Sequence, residues 1–149
     1  MTPERDGAHR ISVLALIAAA TLAADNTPAS VDLRDARSAT ILLNVGVGGI
    51  TFSGSNKIEF ILTHSDDDTT YTAVTADDLI LDSYAPATIT GGIVRALIAA
   101  HAAATIQKIG YIGGKPYLKL LADFSGTHGT GTPIAVLVVK DGLALQGTA

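Results

Sequence analysis

The residues best suited to chemistry gather at His64-Ser65-Asp66-Asp67-Asp68. Three consecutive carboxylates attract a hard cation such as Ca²⁺, which takes oxygen ligands. Neighbours on an extended chain point to opposite sides, however, and the Gly and terminal Glu of a calcium loop are missing. A solvated hairpin turn, its Asp side chains bonded to the backbone, is the expectation. The histidines His9, His64, His101 and His128 share no metal-ligand spacing. His101, among alanines, is expected to pack; His128, in the Gly/Thr-rich segment 125–132, is expected to be exposed. The Gly-rich segment 46–57 fails as a phosphate loop, because Gly54 is followed by Ser55-Asn56-Lys57 where such a loop places Lys directly after its last Gly. There is no Gly-x-Ser-x-Gly elbow, although a Ser-His-Asp site is defined by geometry and stays open. The chain has no Cys, which excludes disulfides, thiolate metal sites and Cys nucleophiles. Tyr71, Tyr84, Tyr111 and Tyr117 offer rings for a sugar, but there is no Trp. Tyr111 and Tyr117 flank Gly113-Gly114 and are expected to face each other as a cross-strand pair. The expectation is a protein without catalytic residues, metal or cofactor.

Composition points the same way. With 149 residues the chain makes one domain with a full core. Hydrophobic residues are 48% and charged residues 16%, against about 25% charged in an ordinary soluble domain. Such a chain folds into a compact β protein or buries surface against a partner. The net charge is −4 and no Lys/Arg cluster occurs, so neither nucleic acid nor a membrane surface is an expected partner.

The elements that would hold these residues read as strands. Residues 106–124 suggest a hairpin turning at Gly113-Gly114, with Leu118, Leu120, Ala122 and Phe124 on a buried face. Ile41, Leu43 and Val45 alternate inward, as do Ile58, Phe60 and Leu62. Residues 31–34 and 70–74 are shorter strands, and Thr75 with Asp78 can cap one helical turn. Residues 93–99 read as a strand, with 100–104 as a corner; a helix over 93–107 is the competing reading. Residues 133–140 are apolar on both faces, as in a central strand or one meeting another subunit. Strands at this spacing predict a mainly β, single-domain antiparallel β-sandwich of jelly-roll-like form with an extended N-terminal arm. Residues 1–30 form the arm or first strand, 31–142 the sandwich, and 143–149 a C-terminal tail. The apolar run 11–24 has three readings: a secretory signal's core, the sandwich's first strand, or an arm packed on a neighbour.

Four blocks together resemble a family of small virion proteins encoded beside the major capsid protein in tailed phages and related particles. They are Val31-Asp32-Leu33-Arg34 with the strand 41–46; the pattern of Phe60, Leu62, His64, Ser65, Asp66, Asp67, Thr69, Tyr71 and Val74; the segment 106–120; and 134–142. Two departures are Pro116, where the family has a basic residue, and the uncharged segment 143–149. The resemblance implies a capsid cement (decoration) protein on the capsid exterior of the virion. Its partners would be the major capsid protein and further copies of itself, as a homotrimer. Ile11, Val13, Leu14, Leu16, Ile17 and Leu22, with Ile134, Val136 and Val138, are the expected partner-binding residues. A tail or head-fibre component and a secreted carbohydrate-binding module are the alternatives.

Overall fold

The protein is described by a computed structural model covering residues 7–142. The expected tail 143–149, and the start of the expected arm, lie outside the described residues. In chain order the strands are β1 (Ile11–Leu22), β2 (Val31–Asp32), β3 (Ser38–Val45), β4 (Lys57–Ser65), β5 (Thr72–Ala73), β6 (Leu79–Ile80), β7 (Ile93–Leu97), β8 (Thr105–Tyr111), β9 (Tyr117–Ser125) and β10 (Thr132–Asp141). One-turn 3₁₀ helices occupy Ala8–Arg10 and Ala76–Asp78.

These strands form two antiparallel sheets packed face to face. Sheet A runs β1-β10-β3-β8-β6. Sheet B runs β2-β9-β4, with β5 and β7 sharing the far edge of β4. Alternation sorts each strand into an inner and an outer set. Sheet A contributes Ile41, Leu43, Val45, Ile109, Ile134, Val136 and Val138 to the core, and sheet B contributes Ile58, Phe60, Leu62, Leu118, Leu120 and Ala122. The predicted β-sandwich is therefore the fold. The 93–107 helix does not form: Ile93–Leu97 pairs with β4 and Thr105–Tyr111 with β3.

The expected hairpin at Gly113-Gly114 is not one. β8 belongs to sheet A and β9 to sheet B, so residues 112–116 arch from one sheet to the other. Period-two alternation reports which side of a strand is buried; it does not report which sheet the strand joins. Of the two glycines only Gly114 has positive φ, at 76°, whereas a type I′ hairpin needs it at both central positions. Pro116 has no N–H for a ladder; its carbonyl instead accepts from the Leu33 N–H at 2.7 Å. Tyr111 and Tyr117 are consequently no cross-strand pair.

The run 11–22 is the sandwich's own first strand, paired along β10 from Ile11 opposite Asp141 to Leu22 opposite Thr132. β10 lies between β1 and β3, which explains an apolar strand with both edges paired.

Candidate interaction surface

The outer faces of the two sheets differ in chemistry. On sheet B the outward residues of β4 and β9 pair Ile61 with Leu121 and surround them with Lys57, Glu59, Thr63, Lys119 and Asp123, all partly covered. Lys57 and Glu59 pair at 2.7 Å. On sheet A, register sets the outward residues in rows: Val13, Val139, Thr40 and Gly110 in one, Ala15, Leu137, Leu42 and Lys108 in the next, then Ala135, Asn44 and Ile106. Ile80 of β6 lies opposite Gly110 and extends the first row. Val13, Ile80 and Ile106 are 50%, 62% and 61% exposed. Lys108 is the one charged residue within these rows. The surface is a mostly apolar sheet face of the kind that marks an interaction site.

The sheet edges also differ. On sheet B, β2 covers two residues of β9, and Asn26 continues the job as a substitute strand. Its side-chain amide donates to the Leu120 carbonyl at 3.1 Å, and its oxygen accepts from the Ala122 N–H at 2.7 Å. Asp25 takes the Phe124 N–H at 2.7 Å. Beyond β8 of sheet A, two-residue β6 and the Asp82 carboxylate, which accepts the Lys108 N–H at 2.9 Å, close the edge.

The predicted partner-binding residues separate into two groups. Ile11, Val13 and Leu14 are exposed. Leu16 and Ile17, adjacent in sequence, are both buried, because a register shift between Ala15 and Ile17 lets both turn inward. Leu22 is partly buried against the core. Ile134, Val136 and Val138 are core residues of their own chain and are not available to a partner as they stand. The outward side of β10 is Ala135, Leu137 and Val139. Sequence reasoning missed Leu42, Ile80 and Ile106 as surface residues. Leu42 carried a signal, an apolar residue in the outward phase of a strand whose inward phase was already apolar.

Elsewhere the polar residues are committed to structure. Asp67 organises the 65–70 turn: its carboxylate accepts from the Thr69 and Thr70 N–H groups, both at 2.9 Å, and from the Ser65 hydroxyl. Those bonds, Thr70 foremost, hold its pKa below the usual carboxylate value. The turn is the expected one. Among the described residues no group of three or more His, Asp or Glu is placed to hold a metal. Thr75 caps Ala76–Asp78 as expected, with Asp78 accepting from the Thr75 N–H at 2.8 Å.

His128 is buried rather than exposed, at 3%. Its Nε2–H donates to the Ser125 carbonyl at 2.8 Å, and the ring meets Phe124 edge-on at 4.7 Å. The Gly/Thr loop folds back on the 46–52 loop, with the Gly49 N–H bonded to the Gly131 carbonyl at 2.8 Å; a glycine-rich composition allowed this close backbone approach. Three tyrosine rings carry cations: Arg34 lies 5.3 Å from the Tyr117 centroid, Arg95 4.6 Å from Tyr84, and Lys119 4.4 Å from Tyr71. The fourth, Tyr111, is buried, with its hydroxyl 2.8 Å from His64 Nδ1. Burial holds the His64 pKa below its ordinary value and raises that of Tyr111. The Tyr111 hydroxyl thus bridges the His64 ring and the arch, its oxygen accepting the Lys115 N–H at 3.1 Å. An open cavity of about 520 Å³ beside this arch is lined by Arg34, Arg37 and Lys115, of which Arg34 is bonded to Asp32 and Lys115 lies 3.5 Å from Asp66.

No protein-family model, curated protein or solved structure matches the chain. Among the described residues no helix is long and apolar enough to cross a membrane.

Proposed function

We propose that this protein is a structural component of a virion, a capsid cement protein that lays the outer face of sheet A on the exterior of the major capsid protein lattice. The observation that carries the reading is that face itself, with Val13, Leu137, Leu42, Ile106 and Ile80 outward around a single lysine. An apolar sheet face gains free energy by being covered, at about 25 cal/mol per Å² of apolar surface. The resemblance of the four sequence blocks supplies the kind of partner and, with it, trimers at threefold positions. The tyrosines support the carbohydrate-binding alternative less well, because three of the rings each carry a cation and the fourth, Tyr111, is buried.

The test is co-sedimentation with expanded capsids lacking the protein. Leu137→Lys combined with Ile106→Lys puts two charges on an outward face, so the fold and melting temperature are expected to hold while capsid binding falls at least tenfold. Unchanged binding by a folded double variant overturns the docking face. Absence of capsid binding by the wild-type chain overturns the function.

A further inference from the structure

From the treatment of the sheet edges we infer that β1 is a homotypic pairing edge: the segment from Ile11 to Ala15 adds, antiparallel, to the same segment of a second copy and joins two A sheets across a twofold axis.

Edge strands with free backbone groups template further pairing, and proteins blunt them with charge, proline, short strands or covering groups. The other edges here are blunted. β5 and β6 are two residues long. β7 is five residues, bulged against β4, carries Arg95, and has its Val94 carbonyl bonded to the Gln107 amide at 2.9 Å. β9 is covered by β2, Asn26 and Asp25. Among the described residues no strand pairs with the outer edge of β1, and its first five residues carry no bulge. Its twelve residues, Ile-Ser-Val-Leu-Ala-Leu-Ile-Ala-Ala-Ala-Thr-Leu, contain no charge and no proline. Register shifts interrupt it after Ala15, but Ile11 to Ala15 pair regularly with Asp141 to Leu137 on β10, and among the described residues no strand pairs with their other edge.

The segment fits a second copy of itself. Antiparallel pairing centred on Val13 sets Val13 opposite Val13, Ile11 opposite Ala15 and Ser12 opposite Leu14. No like charges meet, and each outward pair is apolar. Ile11, Val13 and Leu14, at 36%, 50% and 40% exposed, all lose solvent contact. The interface is isologous and closes as a pair, so it does not propagate as a fibre. Five residues from each copy fall short of the ~1,200 Å² of a stable interface, so the pairing is weak in dilute solution and strengthens where copies are held side by side.

Cysteine trapping tests this in the purified full chain, which has no cysteine of its own. Directly opposed strand residues lie about 4.5–5.5 Å apart at Cα, within reach of a disulfide. Val13→Cys is expected to give at least tenfold more oxidised dimer than Ile80→Cys or Val47→Cys, which sit at exposed apolar positions away from β1. Adding Leu14→Lys to Val13→Cys is expected to abolish the excess. Equal dimer from Val13→Cys and Ile80→Cys, with circular dichroism showing each variant folded, overturns the inference, as does an excess that Leu14→Lys leaves intact. The assay contains no capsid, so its outcome is independent of the cement reading.

Discussion

The Tyr111 hydroxyl is a single atom that ties three parts of the molecule together. It sits on sheet A, shares a hydrogen bond with His64 of sheet B, and accepts from the Lys115 N–H within the arch that joins them. Tyr111→Phe leaves an imidazole nitrogen and a backbone N–H without their partner, and is expected to cost about 1–3 kcal/mol in urea unfolding. The same contact has a pH signature. The His64 pKa in the folded protein lies below its value in the unfolded chain, about 6.5. The unfolded state therefore binds more protons as pH falls through that value, and stability declines with falling pH. Thermal melts at pH 8 and pH 5 are expected to differ more for the wild type than for His64→Asn, whose amide offers Tyr111 a hydrogen-bond partner that does not titrate. An equal or larger difference in His64→Asn would contradict the assignment. None of this was legible from sequence. Tyr111 and His64 are 47 positions apart, and tyrosine before a Gly-Gly pair reads equally well as hairpin chemistry.

At the scale of elements, alternation revealed the core side of β3, β4 and β9 because a strand with one buried face must repeat every second residue. It failed where the repeat is broken or carries no sheet label. β1 reads as an unpatterned apolar run because its register shifts place Leu16 and Ile17 on the same side. The β8–β9 connection was misread because inward alternation is identical in either sheet. The surface was harder to read than the core: inner and outer residues of β10 are equally apolar, and only the position of the second sheet decides between Val136 and Leu137. The guarded edge of β9 gives an element-scale prediction. Asn26→Ala strips the Leu120 carbonyl and the Ala122 N–H of their partner, and is expected to lower stability by about 1–3 kcal/mol. Exposing a second open edge is also expected to raise turbidity on heating relative to the wild type. A variant that melts and scatters like the parent would show that β9 needs no cover.

For the whole molecule, the pairing of β1 with β10 means that sheet A is completed only when the two ends of the described chain meet. Leu16 and Ile17 sit in the common core, each worth about 1.5–3 kcal/mol when fully buried. A chain lacking residues 1–22 loses both and bares the flank of β10. It is expected to melt at least 10 °C lower than the full chain by circular dichroism, or not to fold; an unchanged melt would make β1 an ornament on an independent domain. The same adjacency has a second consequence. Ile11 and Asp141 are paired across the ladder, so their Cα atoms are separated by only about 4.5–5.5 Å. A short Gly/Ser linker between residues 7 and 142 could close the backbone into a ring. Opening that ring in the exposed turn at residues 66–69, which projects from the end of β4, would give a circular permutant with the same sandwich and new ends at its surface. Cargo fused at those ends would be attached to sheet B, whereas β1 is the edge strand of sheet A.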